Sequence, residues 1–261
     1  MNIFDQDEWD RDFPPIRHDI VAVRNLAVTA LAGKDVWGRS KSQPAFVSVW
    51  LFLSNQFASA AAGDVLDEST VHYGNLSKNI MEEVARHRNQ NEWKTTSQLA
   101  DLILDAAMRT DDRRNIIDSG KVQISYPKAS MLGDGVEYCV SSALKAGAAA
   151  PRLYLKNLRV PAVIGVNSHE RNLRQVVVAN IWIEGVHREA SDSYSLLERV
   201  VTTTLEASSF ETLETLAVKI AQEVIKGFIE PVSPGAKVRV RLEKPSAVPF
   251  ADAPLVEICR G

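Results

Sequence analysis

The chain has 261 residues, 45% hydrophobic and 24% charged, with a formal net charge of −3. That balance is ordinary for a globular protein in water, leaves no basic footprint for nucleic acid, and contains no apolar run long enough to span a bilayer. Two cysteines, Cys139 and Cys259, and five histidines, His18, His72, His87, His169 and His187, match no metal-ligand spacing, and so few cysteines fit a reducing compartment.

Residues 1–16 are acidic, with Asp5, Asp7, Glu8, Asp10 and Asp12. They lack the basic, apolar design of a signal peptide, so they read as an arm on a cytoplasmic protein. From Asp19 the pattern is that of a strand to Ala30, a polar loop, and a second strand over Pro44–Leu53. Phe57–Glu68 reads as a connection of small residues. Leu76, Ile80 and Val84, then Leu99, Ile103 and Ala106, fall at helical spacing and predict helices over Thr70–Arg88 and Ser97–Met108. Short strands follow at Lys121–Tyr126 and Val136–Val140.

Residues 141–151 are rich in alanine and read as a linker. The order then repeats: strand Arg152–Val163, polar loop, strand Val176–Glu184, helices Ser191–Ala207 and Glu211–Lys226, strands Val238–Glu243 and Leu255–Cys259. The sequence therefore divides into two modules, 17–140 and 152–261. The repeat is visible in residues as well. Asn25, Gly33, Gln43 and Trp50 return as Asn157, Gly165, Gln175 and Trp182, each 132 positions on, and Tyr73 returns as Tyr194 at 121. The smaller offset implies an insertion of about 11 residues near 58–68 of the first module.

Within this plan one stretch stands out. In Lys237–Pro245 apolar and charged residues alternate, so Val238, Val240 and Leu242 share a face and Lys244 stands at its end. A lysine at the end of an apolar face is partly desolvated, which favours the neutral amine a general base needs. Lys128 holds the same parity with Val122, Ile124 and Tyr126 and reads as its copy in the first module.

These residues resemble the dihydroneopterin aldolase family in its tandem, fungal-type form, over about residues 17–140 and 152–261. Four motifs carry the resemblance: Gly165-Val166-Asn167-Ser168-His169-Glu170, Leu213-Glu214-Thr215-Leu216-Ala217, Lys244-Pro245-Ser246-Ala247, and Thr70-Val71-His72-Tyr73-Gly74. The resemblance implies an α+β fold of two tandem tunnelling-fold modules, each an antiparallel sheet with two helices. It implies a pterin substrate and a homo-oligomer, dimer or tetramer, whose sheets join edge to edge into a barrel. The implied reaction is retro-aldol cleavage of 7,8-dihydroneopterin, in which the substrate's own ring C=N takes up electrons and no cofactor or metal is required. Glu214 would grip the paired ring donors of the pterin, with Leu213 and Val71 lining the site. Lys244 would be the base, Glu170 would order it or a water, and Tyr73 would handle the proton.

The modules differ. Where the family has the loop glutamate, the first has Gly38, and where it has the anchoring glutamate, Ser97. The second keeps Glu170, Glu214 and Lys244, but its helix start is Ser191-Asp192-Ser193-Tyr194. In the family, sites lie between modules. The expectation is one complete site, from Glu170, Glu214 and Lys244 with Val71 and Tyr73, and one degenerate pocket from Lys128, Ser97 and Tyr194. Two other readings stay open: a non-catalytic pterin- or purine-binding or assembly module, and the aldolase portion of a longer multifunctional folate enzyme.

Overall fold

The computed structural model describes residues 19–111, 116–143 and 149–261. The arm expected over 1–16 lies outside the described residues. Eight strands form one antiparallel sheet in chain order: β1 Ile20–Ala30, β2 Gln43–Leu53, β3 Ile117–Tyr126, β4 Val136–Ala143, β5 Ala149–Ala162, β6 Gln175–Glu184, β7 Lys237–Glu243 and β8 Leu255–Arg260. The helices are α1 Ala58–Gly63, α2 Tyr73–Asn89, α3 Thr96–Met108, α4 Tyr194–Glu206 and α5 Leu213–Val224, which runs on through a π turn at Ile225–Ile229 into α6, Glu230–Val232.

Each long helix buries one stripe on the sheet: Leu76, Ile80 and Val84 in α2, Leu99, Ile103 and Ala107 in α3, Leu197, Val201 and Leu205 in α4, and Leu216, Ile220 and Val224 in α5. The sheet meets them with Val47, Val49, Leu51, Val122, Ile124, Leu153, Leu155, Ile181, Val238 and Val240, all buried in one core. The other sheet face carries aromatic and charged side chains, with Lys121 over the Trp50 ring and Arg239 and Arg241 over Trp182.

The strand-strand-helix-helix-strand-strand order thus occurs twice, as the sequence predicts, in a continuous sheet. Of the span expected to be a linker, 141–143 end β4 and 149–151 open β5, and 144–148 lie outside the described residues. β4 and β5 pair directly, Val136 with Leu155 and Tyr138 with Leu153, so the joint between modules is itself part of the sheet. The connection of small residues contains α1, which buries none of its residues. In each module the first strand carries a bulge, between Val23 and Leu26 and between Leu155 and Leu158. At each bulge an asparagine, Asn25 or Asn157, has positive φ, and its N–H is received by a side chain on the next strand, Ser48 or Asn180.

Candidate active site

The site is built from the end of β7. Val238, Val240 and Leu242 are fully buried, and Lys244 follows at 6% exposure. Its N–H donates to the Pro254 carbonyl at 3.2 Å, which fixes the residue after regular pairing ends. Its ammonium donates to Glu170 Oε1 at 2.5 Å.

Glu170 comes from the loop after β5, within a short 3₁₀ turn, Ser168–Arg171. Its other oxygen accepts from the Asn167 N–H at 3.0 Å and the Asn167 side-chain amide at 2.9 Å. The Lys244 ammonium above all, and then the two Asn167 donors, pull the Glu170 carboxyl down to about 2 from an ordinary 4.5. Gly165 makes this possible. It has φ +140, and a Cβ there would stand 2.6 Å from Glu170 Cβ, so only glycine lets the carboxylate fold back over the loop. Gln175 holds the same loop through the carbonyls of Ile164 and Glu170, both at 2.8 Å.

Arg171 fastens the loop to the segment leading into α5, donating to Ser209 O at 2.7 Å and Phe210 O at 3.2 Å. Thr212 caps that helix by accepting from the Thr215 N–H at 3.2 Å. Glu214 is the second residue of α5 and is exposed, with no hydrogen-bond or ion-pair partner for its carboxylate among the described residues, while Leu213 beside it packs on the core. Lys244 and Glu170 are therefore in contact, and the Glu214 helix start is tied to their loop.

Val71 and Tyr73 lie elsewhere. They precede and open α2, in the other module and toward the opposite end of the sheet order. Val71 is buried, but Tyr73 is 65% exposed, and the His72 cap beside it accepts from the Gly74 N–H. No contact joins Tyr73 to Lys244 among the described residues.

The first module shows what has become of the equivalent pocket. Trp50 pairs with Lys121 in β3, and its copy Trp182 pairs with Arg239 in β7, so the two strands correspond at an offset of 118. The residue in the place of Lys244 is therefore Tyr126, not Lys128. The following turn agrees: the Ala129 N–H bonds the Tyr126 carbonyl as the Ala247 N–H bonds that of Lys244. Lys128 lies two residues further, exposed in that turn, so the expected equivalence is corrected. Parity could not separate positions 126 and 128, because a strand read from the sequence places residues two apart on one face.

Ser97 does match Glu214, each being the second residue of a threonine-capped helix. Its surroundings are closed. The Tyr126 ring lies against Gly33, where a Cβ would be 2.9 Å away. Tyr194, 1% exposed, places its hydroxyl on the backbone N–H and carbonyl of Lys34. Asp192 accepts from the Thr96 hydroxyl at 2.6 Å and the Thr96 N–H at 3.1 Å, and Ser191 accepts from the Ser97 N–H at 3.3 Å. Burial pushes the phenols of Tyr126 and Tyr194 well above the usual range, and raises Asp192 too. The helix start that would face a ligand is instead occupied by the second module.

Tyr126, Asp192, Asn167 and Arg171 were not singled out from sequence. Asn167-x-x-Glu170 is a capping spacing that could have revealed one of them; the others become visible only through the strand register. Among the described residues no group of three or more His, Cys, Asp or Glu side chains gathers as a metal site, and no helix is long and apolar enough to cross a membrane.

Comparison with known proteins adds three findings. The model of the family described as dihydroneopterin aldolase matches twice, at residues 21–141 and 153–259. The folic acid synthesis protein fol1 of Schizosaccharomyces pombe is 27% identical over 247 residues, covering 93% of this chain and 31% of that protein. Fol1 of Pneumocystis carinii is 25% identical, covering 94% of this chain and 32% of that one. The chain thus spans about a third of the length of these relatives. Among solved structures, a uricase from Bacillus fastidious superposes with a TM-score of 0.65 over 94% of this chain and 92% of that one at 11% identity, a likeness of fold alone.

Proposed function

Because the chain belongs to the dihydroneopterin aldolase family, we propose that its second module carries a retro-aldol site acting on 7,8-dihydroneopterin. The observation that supports this best is the buried Lys244 held by Glu170 at 2.5 Å, on a loop tied to the helix start that presents Glu214. Glu214 accepts the amino group and ring N–H of the pterin together, a charge-assisted pair that fixes the ring. Lys244, after its ammonium has released one proton to solvent, takes the proton of the hydroxyl on the outer carbon of the bond to be cleaved. That carbon becomes the aldehyde of glycolaldehyde, the bonding pair passes into the ring C=N, and the carbon left on the ring is then protonated to give 6-hydroxymethyl-7,8-dihydropterin. The ring serves as the electron sink, so the reaction needs no Schiff base. Re-addition of the aldehyde by its other face would epimerise the substrate.

Tyr73 holds or returns the proton, and it reaches Lys244 only from another copy of the chain. The joint inside one chain supports this. There Tyr194, the copy of Tyr73, meets Lys34, which corresponds to Val166 in the Glu170 loop, and it lies beside Tyr126, which corresponds to Lys244. A second copy placing its first module in the same relation brings Tyr73 to the loop that holds Glu170. The relatives' names and greater length support a place within folic acid synthesis beside other activities in a longer protein.

The test is incubation with 7,8-dihydroneopterin and chromatographic detection of both products. Lys244→Ala lowers kcat/KM by about 10²–10⁴-fold, the usual contribution of a general base, while Lys128→Ala leaves it within about twofold, as expected of a side chain outside the site. Absence of product at high enzyme concentration would favour a binding module, and equal losses from both variants would overturn the assignment of the base.

A further inference from the structure

Between α4 and α5 of the second module lies a groove of about 610 Å³. We infer that it is the docking site of the acidic segment of this chain, residues 1–16, whose aromatic side chains cover its apolar floor and whose carboxylates meet the cations on its rim.

The internal repeat shows that the groove is an opened version of a closed one. α2 corresponds to α4 at an offset of 121, since Tyr73 and Tyr194 begin them, and α3 to α5 at 117, since Ser97 and Glu214 are the second residue of each. By these offsets the same place in the first module is the cleft lined by Asn79, Glu83, Arg86 and Arg109, of about 270 Å³. Polar contacts span that cleft. Asn79 donates its side-chain amide to the Thr110 hydroxyl at 3.1 Å, and the buried Glu83 carboxylate accepts from Arg86 and, at 3.1 Å, from Arg109. In the second module Val200 and Gly227 stand for Asn79 and Thr110, Thr204 and Ala207 for Glu83 and Arg86, and Lys226 for Arg109. Val200 and Gly227 do meet: a Cβ on Gly227 would stand 3.1 Å from Val200 Cγ2, so the correspondence holds across the π turn. The bridging side chains are gone, and the cation is kept.

What is left asks for an acidic and aromatic cover. Val200 and Phe210 are half-buried and Ala207 is exposed, an apolar floor without a lid. Glu223 is the only carboxylate among the described residues lining the groove, and Lys219 engages it at 2.7 Å. Arg199 and Lys226 on the rim are exposed, and no ion pair engages them among the described residues. Residues 1–16 carry Asp5, Asp7, Glu8, Asp10 and Asp12 against Arg11 alone, interleaved with Phe4, Trp9 and Phe13. No other sixteen residues of the chain combine that charge with three aromatic rings, and each ring buries about 150–250 Å² when covered. The topology brings the segment to the right end. Ile20, where β1 begins, corresponds to Arg152, which pairs with Glu184, which pairs with Lys237, where the chain enters β7 from the π turn and α6. The segment therefore joins the sheet at the end where Lys226 and Gly227 lie. From β1 to β7 is six strand spacings, roughly 30 Å, and sixteen residues can extend over about 50 Å.

The test is photo-cross-linking in the full chain, with benzoylphenylalanine in place of Trp9 or Phe13 and the linked peptides identified by mass spectrometry. The links should fall on α4 and α5 between residues 199 and 227. Arg199→Glu with Lys226→Glu should lower their yield about fivefold, the weight of two partly exposed ion pairs, and adding Asp7→Lys with Asp10→Lys should restore part of it. Lys78→Glu, which changes the first-module counterpart of Arg199, should leave the yield as it is. A probe in place of Thr203 should link back to residues 1–16. Links that fall on the first module, an equal loss in Lys78→Glu, or a probe at Thr203 that links a helix of a second copy instead would overturn the inference, whatever the outcome of the aldolase assay.

Discussion

Lys244 and Glu170 behave as one unit. The carboxylate accepts on both oxygens, from the ammonium on one and from Asn167 on the other, and this holds its charge far into acid. A carboxyl depressed in the folded state contributes stability that is complete above its ordinary value and fades as pH falls through the folded one. The contribution of Glu170 should therefore be present from neutral pH down to about 4.5 and be lost as pH drops toward 2. Urea midpoints of the parent and Glu170→Gln, measured from pH 7 to 2.5, should differ most at the neutral end and converge in acid. The carboxylate is partly open to solvent, so the difference is small; a gap that widens in acid would contradict the pairing. Lys244 was legible in the sequence because strand parity marks an odd lysine on an apolar face. Its first-module counterpart was not, because Tyr126 and Lys128 share parity and only the pairing of Trp50 with Lys121 decides between them. Glu214 was legible as a position on a helix start, but nothing in one chain shows what it faces.

At the scale of elements, the start of α3 shows how a pocket became a fastening. Asp192 from the second module supplies the acceptor that the Thr96 N–H and hydroxyl need in a buried place. Burial of the aspartate opposes this, but its removal leaves two donors unsatisfied, and that penalty is the larger. Asp192→Ala should lower unfolding free energy by about 1–3 kcal/mol in a denaturant titration while leaving turnover at the second-module site unchanged; a stability equal to the parent would show that the contact adds nothing. The long helices were legible from their stripes, and their starts fall within three residues of expectation. The first four residues of β3 were missed because Asp118 and Gly120 are poor strand formers. Gly120 is there because α3 packs over it, with Leu104 Cδ1 2.8 Å from where a Cβ would be. The π turn at Ile225–Ile229 leaves no pattern, since one extra residue in a helical turn changes how Gly227 packs against Val200 without changing composition.

For the whole molecule, two modules in one continuous sheet make two unlike interfaces out of one design. The joint inside the chain is closed by Tyr126, Tyr194 and Asp192. The residues proposed for a working site are divided between the end of β7 with the Glu170 loop and the start of α2. The duplication could be read from Asn25, Gly33, Gln43 and Trp50 and their copies, and the complementary losses of the two modules were visible as well. Which interface forms within one chain was not, because that depends on sheet order and on which edges remain unpaired. The pairing of Lys244 of one chain with Tyr73 of another is the working site proposed. It is tested most directly by combining two inactive variants, Lys244→Ala and Tyr73→Phe, co-expressed with separate tags and purified as the mixed assembly. If the site forms between chains, one interface of each mixed pair has both residues intact, and dihydroneopterin cleavage returns to roughly half the parent rate per mixed dimer. If the mixture remains as inactive as either variant alone, the site does not lie between chains and the account is wrong.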